Sequence, residues 1–335
     1  MKRLMLFSVI LSLFCGLCVP ATAADTPKNL LILGDSIATG HSLPDYHSNG
    51  NPKSQYSWAT LLAKHYEAKQ VNLAVDGDTT TDLLAAIERA ENRAAIASAD
   101  AICISIGGNN FLHLMGELFQ ENTLFSIDAV EAAVAPMLQA ASADLDRIFT
   151  VLKEKNSTAP ILVQTLFEPF RYVTVPVAEG VTVADWMGGY IEHYNILLKA
   201  KAAEHGVLCV DVYEAFRTQG QKSWVYISLE SGTLTEALNV LPQANPHPTK
   251  DGHRGIYDAY VETAGERLAA ALSAVEETVE STDEDILTSE REVTTSESTH
   301  EGGSAPAKAW LPWVAVPFAA AVAVGIGILF RKKTK

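Results

Sequence analysis

At 335 residues, 48% of them apolar, the chain is long enough to bury a substantial core in one large domain. Its formal net charge is −15, and so acidic a surface repels phosphate backbones and anionic head groups, which argues against a nucleic-acid partner. Four cysteines build no disulfide framework: Cys15 and Cys18 lie in the N-terminal apolar run, and Cys103 and Cys209 lie in apolar runs that read as buried strands.

The chain opens with Lys2 and Arg3, an apolar run over 4–19, and the small residues Pro20-Ala-Thr-Ala23. This pattern predicts a secretory signal peptide over 1–23, cut after Ala23. Neither Cys15 nor Cys18 follows a small residue, so lipid attachment is not expected. The domain proper is expected over 24–275.

Residues 30–33 are four consecutive apolar residues ending in Gly34-Asp35-Ser36. They read as a buried strand of a parallel sheet. Residues 38–54 form a loop rich in Gly, His, Pro and Asn. Residues 55–69 have helical spacing, with Trp58, Leu61, Leu62 and Tyr66 on one face. Further strands are expected over 71–75, 100–106, 161–166 and 207–212. Helices are expected from after Thr81 through Ile96, over 127–155 and 185–205, and after Pro248. Strands alternating with helices predict an α/β fold with a five-stranded parallel sheet covered on both faces.

The C-terminal part changes character. Residues 276–301 hold ten acids, one arginine and many Ser and Thr, and cannot bury a core. Together with the following Gly-rich segment they are read as a disordered stalk over 276–309. Residues 310–330 carry no charge; as a helix they would extend about 31 Å, the thickness of a hydrocarbon core. The basic tail over 331–335 places itself in the cytoplasm. Leu311-Pro312 is followed by Trp313-Val314-Ala315 instead of the Thr-Gly of a sortase signal, so a retained anchor is expected. The expected topology is a single-pass protein with its N-terminal domain outside a bacterial membrane, most simply that of a Gram-positive cell. A monomer is expected.

Four expected strand ends carry chemistry. Ser36 follows the first, and Gly77 follows the second within Asn72-Leu-Ala-Val-Asp-Gly-Asp-Thr79. Asn109 follows the third in Gly107-Gly-Asn-Asn110, and His247 lies in Asn245-Pro-His-Pro-Thr-Lys-Asp-Gly-His253 before the last helix. Ligands of open α/β sheets gather at the carboxyl ends of strands. Acyl transfer needs a nucleophile, a base and oxyanion donors, and a serine, a histidine, a glycine N–H and an asparagine amide meet that list.

This ordered set resembles the SGNH (GDSL) hydrolase family over residues 29–275. The resemblance implies a three-layer, flavodoxin-like α/β/α fold and ester hydrolysis without a cofactor or metal. It implies Ser36 as nucleophile, His247 as general base and then acid, and an oxyanion hole made by the N–H groups of Ser36 and Gly77 and the amide of Asn109. Two positions depart from the family pattern. Ala244 stands where the family usually has the Asp that orients the histidine, with Asn245 beside it, and Asn110 stands where an Asp is preferred. In the chymotrypsin-type triad, replacing the carboxylate by Asn costs about 10⁴ in rate. A Ser–His dyad oriented by a backbone carbonyl is the first expectation. Asn245, or a more distant acid such as Asp251, is an alternative orienting group, and low activity is a third outcome.

The remaining candidates have ordinary readings. His253 is expected to pack or cap the last helix. His41, His47 and His113 are read as loop histidines without metal-site spacing, and Asp35 as a turn residue bonding local N–H groups. Phe167, Phe170, Tyr172, Trp186 and Met187 are candidate pocket walls. The expected activity is a membrane-tethered serine esterase acting on O-acetyl groups of glycans or short acyl esters. The alternatives are a lysophospholipase or thioesterase acting on lipid esters, and a catalytically impaired glycan-binding domain.

Overall fold

The computed structural model describes residues 27–47, 54–121, 127–229, 232–233 and 244–273. The expected signal peptide, stalk, membrane span and basic tail lie outside them. Among the described residues no helix is long and apolar enough to cross a membrane.

The chain begins with β1 (Asn29–Gly34), followed by the four-residue helix α1 (Ser36–Thr39). Helix α2 (Trp58–His65) leads to β2 (Lys69–Asn72), then α3 (Thr80–Glu88), a 3₁₀ turn (Ala90–Asn92) and α4 (Arg93–Ala97). Next come β3 (Ala101–Ser105), α5 (Gly108–Gln120), α6 (Ile127–Lys155) and β4 (Ile161–Gln164). Short strands β5 (Tyr172–Val173), β6 (Pro176–Ala178) and β7 (Val181–Thr182) precede α7 (Val183–Glu204) and β8 (Leu208–Val210). Helix α8 (Val212–Thr218), β9 (Ser228–Leu229) and α9 (Lys250–Leu272) complete the described chain.

The main sheet is parallel, in the order β2-β1-β3-β4-β8. Successive residues on each strand face opposite sides. Leu31, Leu33, Ile102, Ile104 and Val163 pack with Leu145, Ile148, Phe149 and Leu152 of α6. Leu30, Ile32, Cys103, Leu162 and Val210 pack with Trp58 of α2 and Ile256, Tyr260 and Leu268 of α9. Helices therefore cover both faces, giving the expected three layers. This strand order switches direction between β1 and β3, so the crevice at their carboxyl ends is where a ligand belongs. Ser36 and Asn109 sit at the ends of those two strands.

Side-chain caps start the helices. Thr79 with Asp82, and Thr182 with Asp185, form reciprocal capping boxes on α3 and α7. Ser57 caps α2 and Thr249 caps α9.

Several expected boundaries move. The second strand spans Lys69–Asn72 rather than 71–75, because its pairing with β1 starts at Lys69 opposite Asn29. The helix expected through Ile96 breaks at Arg89, whose extended backbone opens the 3₁₀ turn. Helices α5 and α8 were not expected, nor were the two small sheets pairing β5 with β9 and β6 with β7. Residues 127–155 are one helix, as the spacing predicts.

Candidate active site

The turn after β1 is shaped by close packing. Gly34 has φ +132°, and a Cβ there would lie 1.8 Å from the carbonyl oxygen of Ser105 at the end of β3. Only glycine lets the two strand ends approach so closely. The N–H of Asp35 donates to that same oxygen over 3.0 Å. Asp35 then caps α1, its carboxylate accepting from the N–H of Ile37 at 3.0 Å. This is the turn role expected for it. Burial pushes the Asp35 carboxyl up to about 7, opposed by the Ile37 hydrogen bond and reinforced by Asp78 and Asp76.

Ser36 is the first residue of α1, where backbone N–H groups lack intrahelical acceptors. Its Oγ lies 2.8 Å from Nε2 of His247, 211 residues away in sequence. On the other side of the ring, Nδ1 lies 2.7 Å from Oδ1 of Asn245. The backbone N–H of His247 donates to the same oxygen at 3.1 Å. An N–H donor requires an acceptor, so the amide oxygen, not its nitrogen, faces the ring. Nδ1 must then carry the proton, and Nε2 presents a lone pair to Ser36. Asn245 thus sets the tautomer a general base needs. Asp251 is exposed on the first turn of α9, and Ala244 lines the cavity described below.

Ser42 joins this arrangement. Its Oγ donates to Asn245 Oδ1 over 3.2 Å and lies 3.3 Å from His247 Nδ1. Ser42 has φ +69°, a conformation unusual outside glycine. Its carbonyl accepts from the Tyr226 hydroxyl at 3.0 Å.

Burial, and after it the neighbouring His41, push the His247 imidazole down to about 4, while Asp76 pulls it up. It is therefore an unprotonated acceptor at neutral pH. The rings of His41 and His247 lie 4.5 Å apart and are tilted by 33°. His41 lies in a turn, as expected, and its Nδ1 is 2.9 Å from Asp76 Oδ2. His113 lies on α5 rather than in a loop.

Asn109 is the second residue of α5 and is buried. Its Nδ2 donates to the carbonyl of Asp78 at 3.0 Å, leaving one amide hydrogen for another acceptor. Gly77, with φ +88°, lies in the turn closed by the Asp78 N–H bonding the Val75 carbonyl. Asn109 thus reaches the Gly77 turn through Asp78, while Gly77 is not on the cavity wall with Ser36, Asn109 and His247. Asn110 has a framework role. Its side chain accepts from the Thr80 N–H at 3.1 Å and donates to Thr80 Oγ1 at 3.0 Å, joining the starts of α5 and α3.

Ser36, Asn109 and His247 line a cavity of about 380 Å³. It extends between α5, the segment after β4 and the start of α7, with Phe111, Met115, Phe167, Phe170, Trp186 and Met187 among its walls. Tyr172 is not part of it; its hydroxyl donates to the Gly220 carbonyl. His253 is wholly buried and its Nδ1 accepts from the Trp58 N–H at 3.4 Å, the packing role expected for it. Burial raises both thiols, Cys209 to about 11, so neither is a nucleophile at neutral pH.

The sequence matches the model of the GDSL-like lipase/acylhydrolase family over residues 32–254. The uncharacterized protein YpmR of Bacillus subtilis is 24% identical over 165 residues, covering 48% of this chain and 61% of YpmR. The chain thus spans about three fifths of that relative's length. Phospholipase A1 from Streptomyces albidoflavus superimposes with a TM-score of 0.54 at 20% identity, covering 71% of this chain and all of that one. Lipase Lip_vut3 from a goat rumen metagenome gives 0.51 at 16% identity, covering 72% and 99%. With two thirds of its length matched by one family model, and with the fold those structures share, the chain belongs to the GDSL-like lipase/acylhydrolase family.

Proposed function

We propose that this protein hydrolyses carboxylic esters through an acyl-enzyme on Ser36, and that its substrates carry an acyl chain of medium or greater length. The reading rests on one observation: a serine 2.8 Å from an unprotonated histidine nitrogen, on the wall of a largely apolar cavity.

Ser36 Oγ attacks the acyl carbon as its proton passes to His247 Nε2. The N–H of Ser36 and the free amide hydrogen of Asn109 face the developing oxyanion, with the Gly77 N–H as third donor by family resemblance. Removing one such donor typically costs about 100- to 1000-fold in rate. The intermediate collapses as His247 returns the proton to the leaving alkoxide. Water, deprotonated by His247, then attacks the acyl-serine, and His247 returns that proton to Ser36 Oγ as the ester bond breaks and the acid is freed.

The cavity directs the substrate class. Its volume is near the lower end of the range of roughly 300–1,000 Å³ for small-molecule sites. An acetyl group would leave most of it empty, whereas an alkyl chain would bury each methylene for about 0.8 kcal/mol. The cavity therefore favours lipid-type esters over O-acetyl groups of glycans. The intact Ser–His–Asn arrangement speaks against an impaired glycan-binding domain. A tether through residues 310–330 would place this activity at the outer face of the membrane.

The test is hydrolysis of p-nitrophenyl acetate, butyrate, octanoate and palmitate by the full chain, beside Ser36→Ala and His247→Ala. The expected result is highest kcat/KM for octanoate or longer, with both variants inactive. A strict acetate preference would return the reading to O-acetyl esters.

A further inference from the structure

Among the described residues, the arrangement around His247 contains a tautomer-setting group but no negative charge in contact with it. Asn245 accepts from Nδ1 as a neutral amide. A triad acid does two things: it orients the imidazole and stabilises the imidazolium formed when the serine proton is taken. Asn245 performs only the first.

A carboxylate stands behind the second ring. Asp76 immediately precedes Gly77, and its Oδ2 meets His41 Nδ1 at 2.9 Å. Thr39 Oγ1 donates to Asp76 Oδ1 at 2.5 Å, and the Tyr46 hydroxyl donates to Oδ2. His41 is packed between the Tyr46 ring, 4.6 Å away, and the His247 ring at 4.5 Å. Three donors from the segment after β1 thus converge on one carboxylate in the turn after β2, and one of them, the His41 ring, packs against His247. The pair is still part-exposed, at 40% for the His41 side chain and 26% for Asp76, so the three bonds and not burial hold it in place.

We propose that the Asp76–His41 pair is a positioning unit that divides the triad acid's work with Asn245: His41 restrains the His247 ring by packing against it, tilted by 33° at 4.5 Å, and Asp76 supplies the negative charge that stabilises the imidazolium. This rests on the reading of His247 as the base. Neither residue bonds the reacting atoms, so both act through His247. Asp76 remains ionised: burial pulls its carboxyl up, but the hydrogen bonds from Thr39, Tyr46 and His41 outweigh it. Among the described residues, the other polar or titratable groups around His247 are Ser36 and Ser42 from the segment after β1, Asn245 from its own loop, and the buried neutral His253 of α9.

The two members act on the imidazolium with opposite signs. Asp76 favours it, and a proton on His41 opposes it. Asp76→Asn is expected to move the acid limb of the kcat/KM–pH profile down by about half a unit or more, with kcat reduced about tenfold or more at its plateau. His41→Phe retains an aromatic ring but no charge, and should move the acid limb up. A role confined to packing would lower activity in both variants without opposite displacements. Limbs that stay in place, or move together, would overturn the proposal. Titrating the His247 ring by NMR in the same full-length proteins reads the same opposite shifts without turnover. The two readings therefore fail separately: a parent that cleaves no ester refutes His247 as base, and an active parent with unmoved limbs and titration refutes only the pair.

Discussion

Asn245 and His247 are two residues apart, and one amide oxygen serves both the imidazole Nδ1 at 2.7 Å and the backbone N–H of His247 at 3.1 Å. The second bond anchors the first: the amide cannot rotate without giving up a backbone partner. A short-range turn thus orients the imidazole as a triad acid would, without the charge.

That geometry makes Asn245 the sharpest point at which to perturb the proposed base. Asn245→Ala should lower kcat by about 100-fold, the scale of losing a positioned acid–base group. Asn245→Asp keeps the oxygen and adds charge. It should retain activity and move the acid limb of the pH profile upward, since a facing carboxylate favours the imidazolium. Steady-state kinetics from pH 4 to 9 on an octanoate ester checks both.

Gly116 tests the cavity. It lies on the wall in α5, and a Cβ there would meet nothing within 4 Å among the described residues. Gly116→Leu is therefore expected to fold, with a helix propensity gain of up to about 1 kcal/mol. It should cut kcat/KM for octanoate and longer esters at least about tenfold and leave acetate hydrolysis unchanged. Equal loss on all esters would mean that the acyl chain lies elsewhere.

His253 and Asp35 oppose each other in the pH dependence of stability. Burial, and then His247, hold the His253 pKa down to about 3, below its ordinary 6.5. The unfolded chain therefore takes up that proton first, and stability is lost as pH falls from about 6.5 towards 3. Asp35 is raised from 3.8 to about 7, chiefly by burial. Its folded form holds the proton longer, so its contribution is lost as pH rises from about 4 to 7. Each slope approaches about 1.4 kcal/mol per pH unit within its window. Relative to the parent, His253→Gln should gain stability as pH falls below 6.5. Asp35→Asn, which keeps a capping side chain, should gain it as pH rises from 4 to 7. Urea unfolding at pH 4, 5, 6 and 7 reads the two opposite slopes.

Much of the fold is legible because parallel strands buried on both faces read as unbroken apolar runs, as 30–33 and 161–163 do. The edge strand β2 carries Lys69, Gln70 and Asn72, so its sequence lacks that signal and its limits shift. Helix α5 hides behind Gly107-Gly-Asn-Asn110, which looks like a turn, although Phe111, Met115 and Leu118 continue with helical spacing. At the candidate site, Ser36, Asn109 and His247 stand out because each follows a recognisable strand end or motif. His41 and Asp76 do not, being 35 residues apart and joined only by the neighbouring carboxyl ends of β1 and β2. Ser42 leaves no sequence signal either, since its left-handed backbone is one that serine rarely adopts.

The most direct measurement is covalent labelling of the full chain by a p-nitrophenyl alkylphosphonate, with the modified peptide located by mass spectrometry. Stoichiometric labelling at Ser36, abolished in Ser36→Ala and slowed at least about 100-fold in His247→Ala, is the predicted result. No labelling, or labelling at another residue with Ser36 untouched, would contradict the assignment of Ser36 as an activated nucleophile.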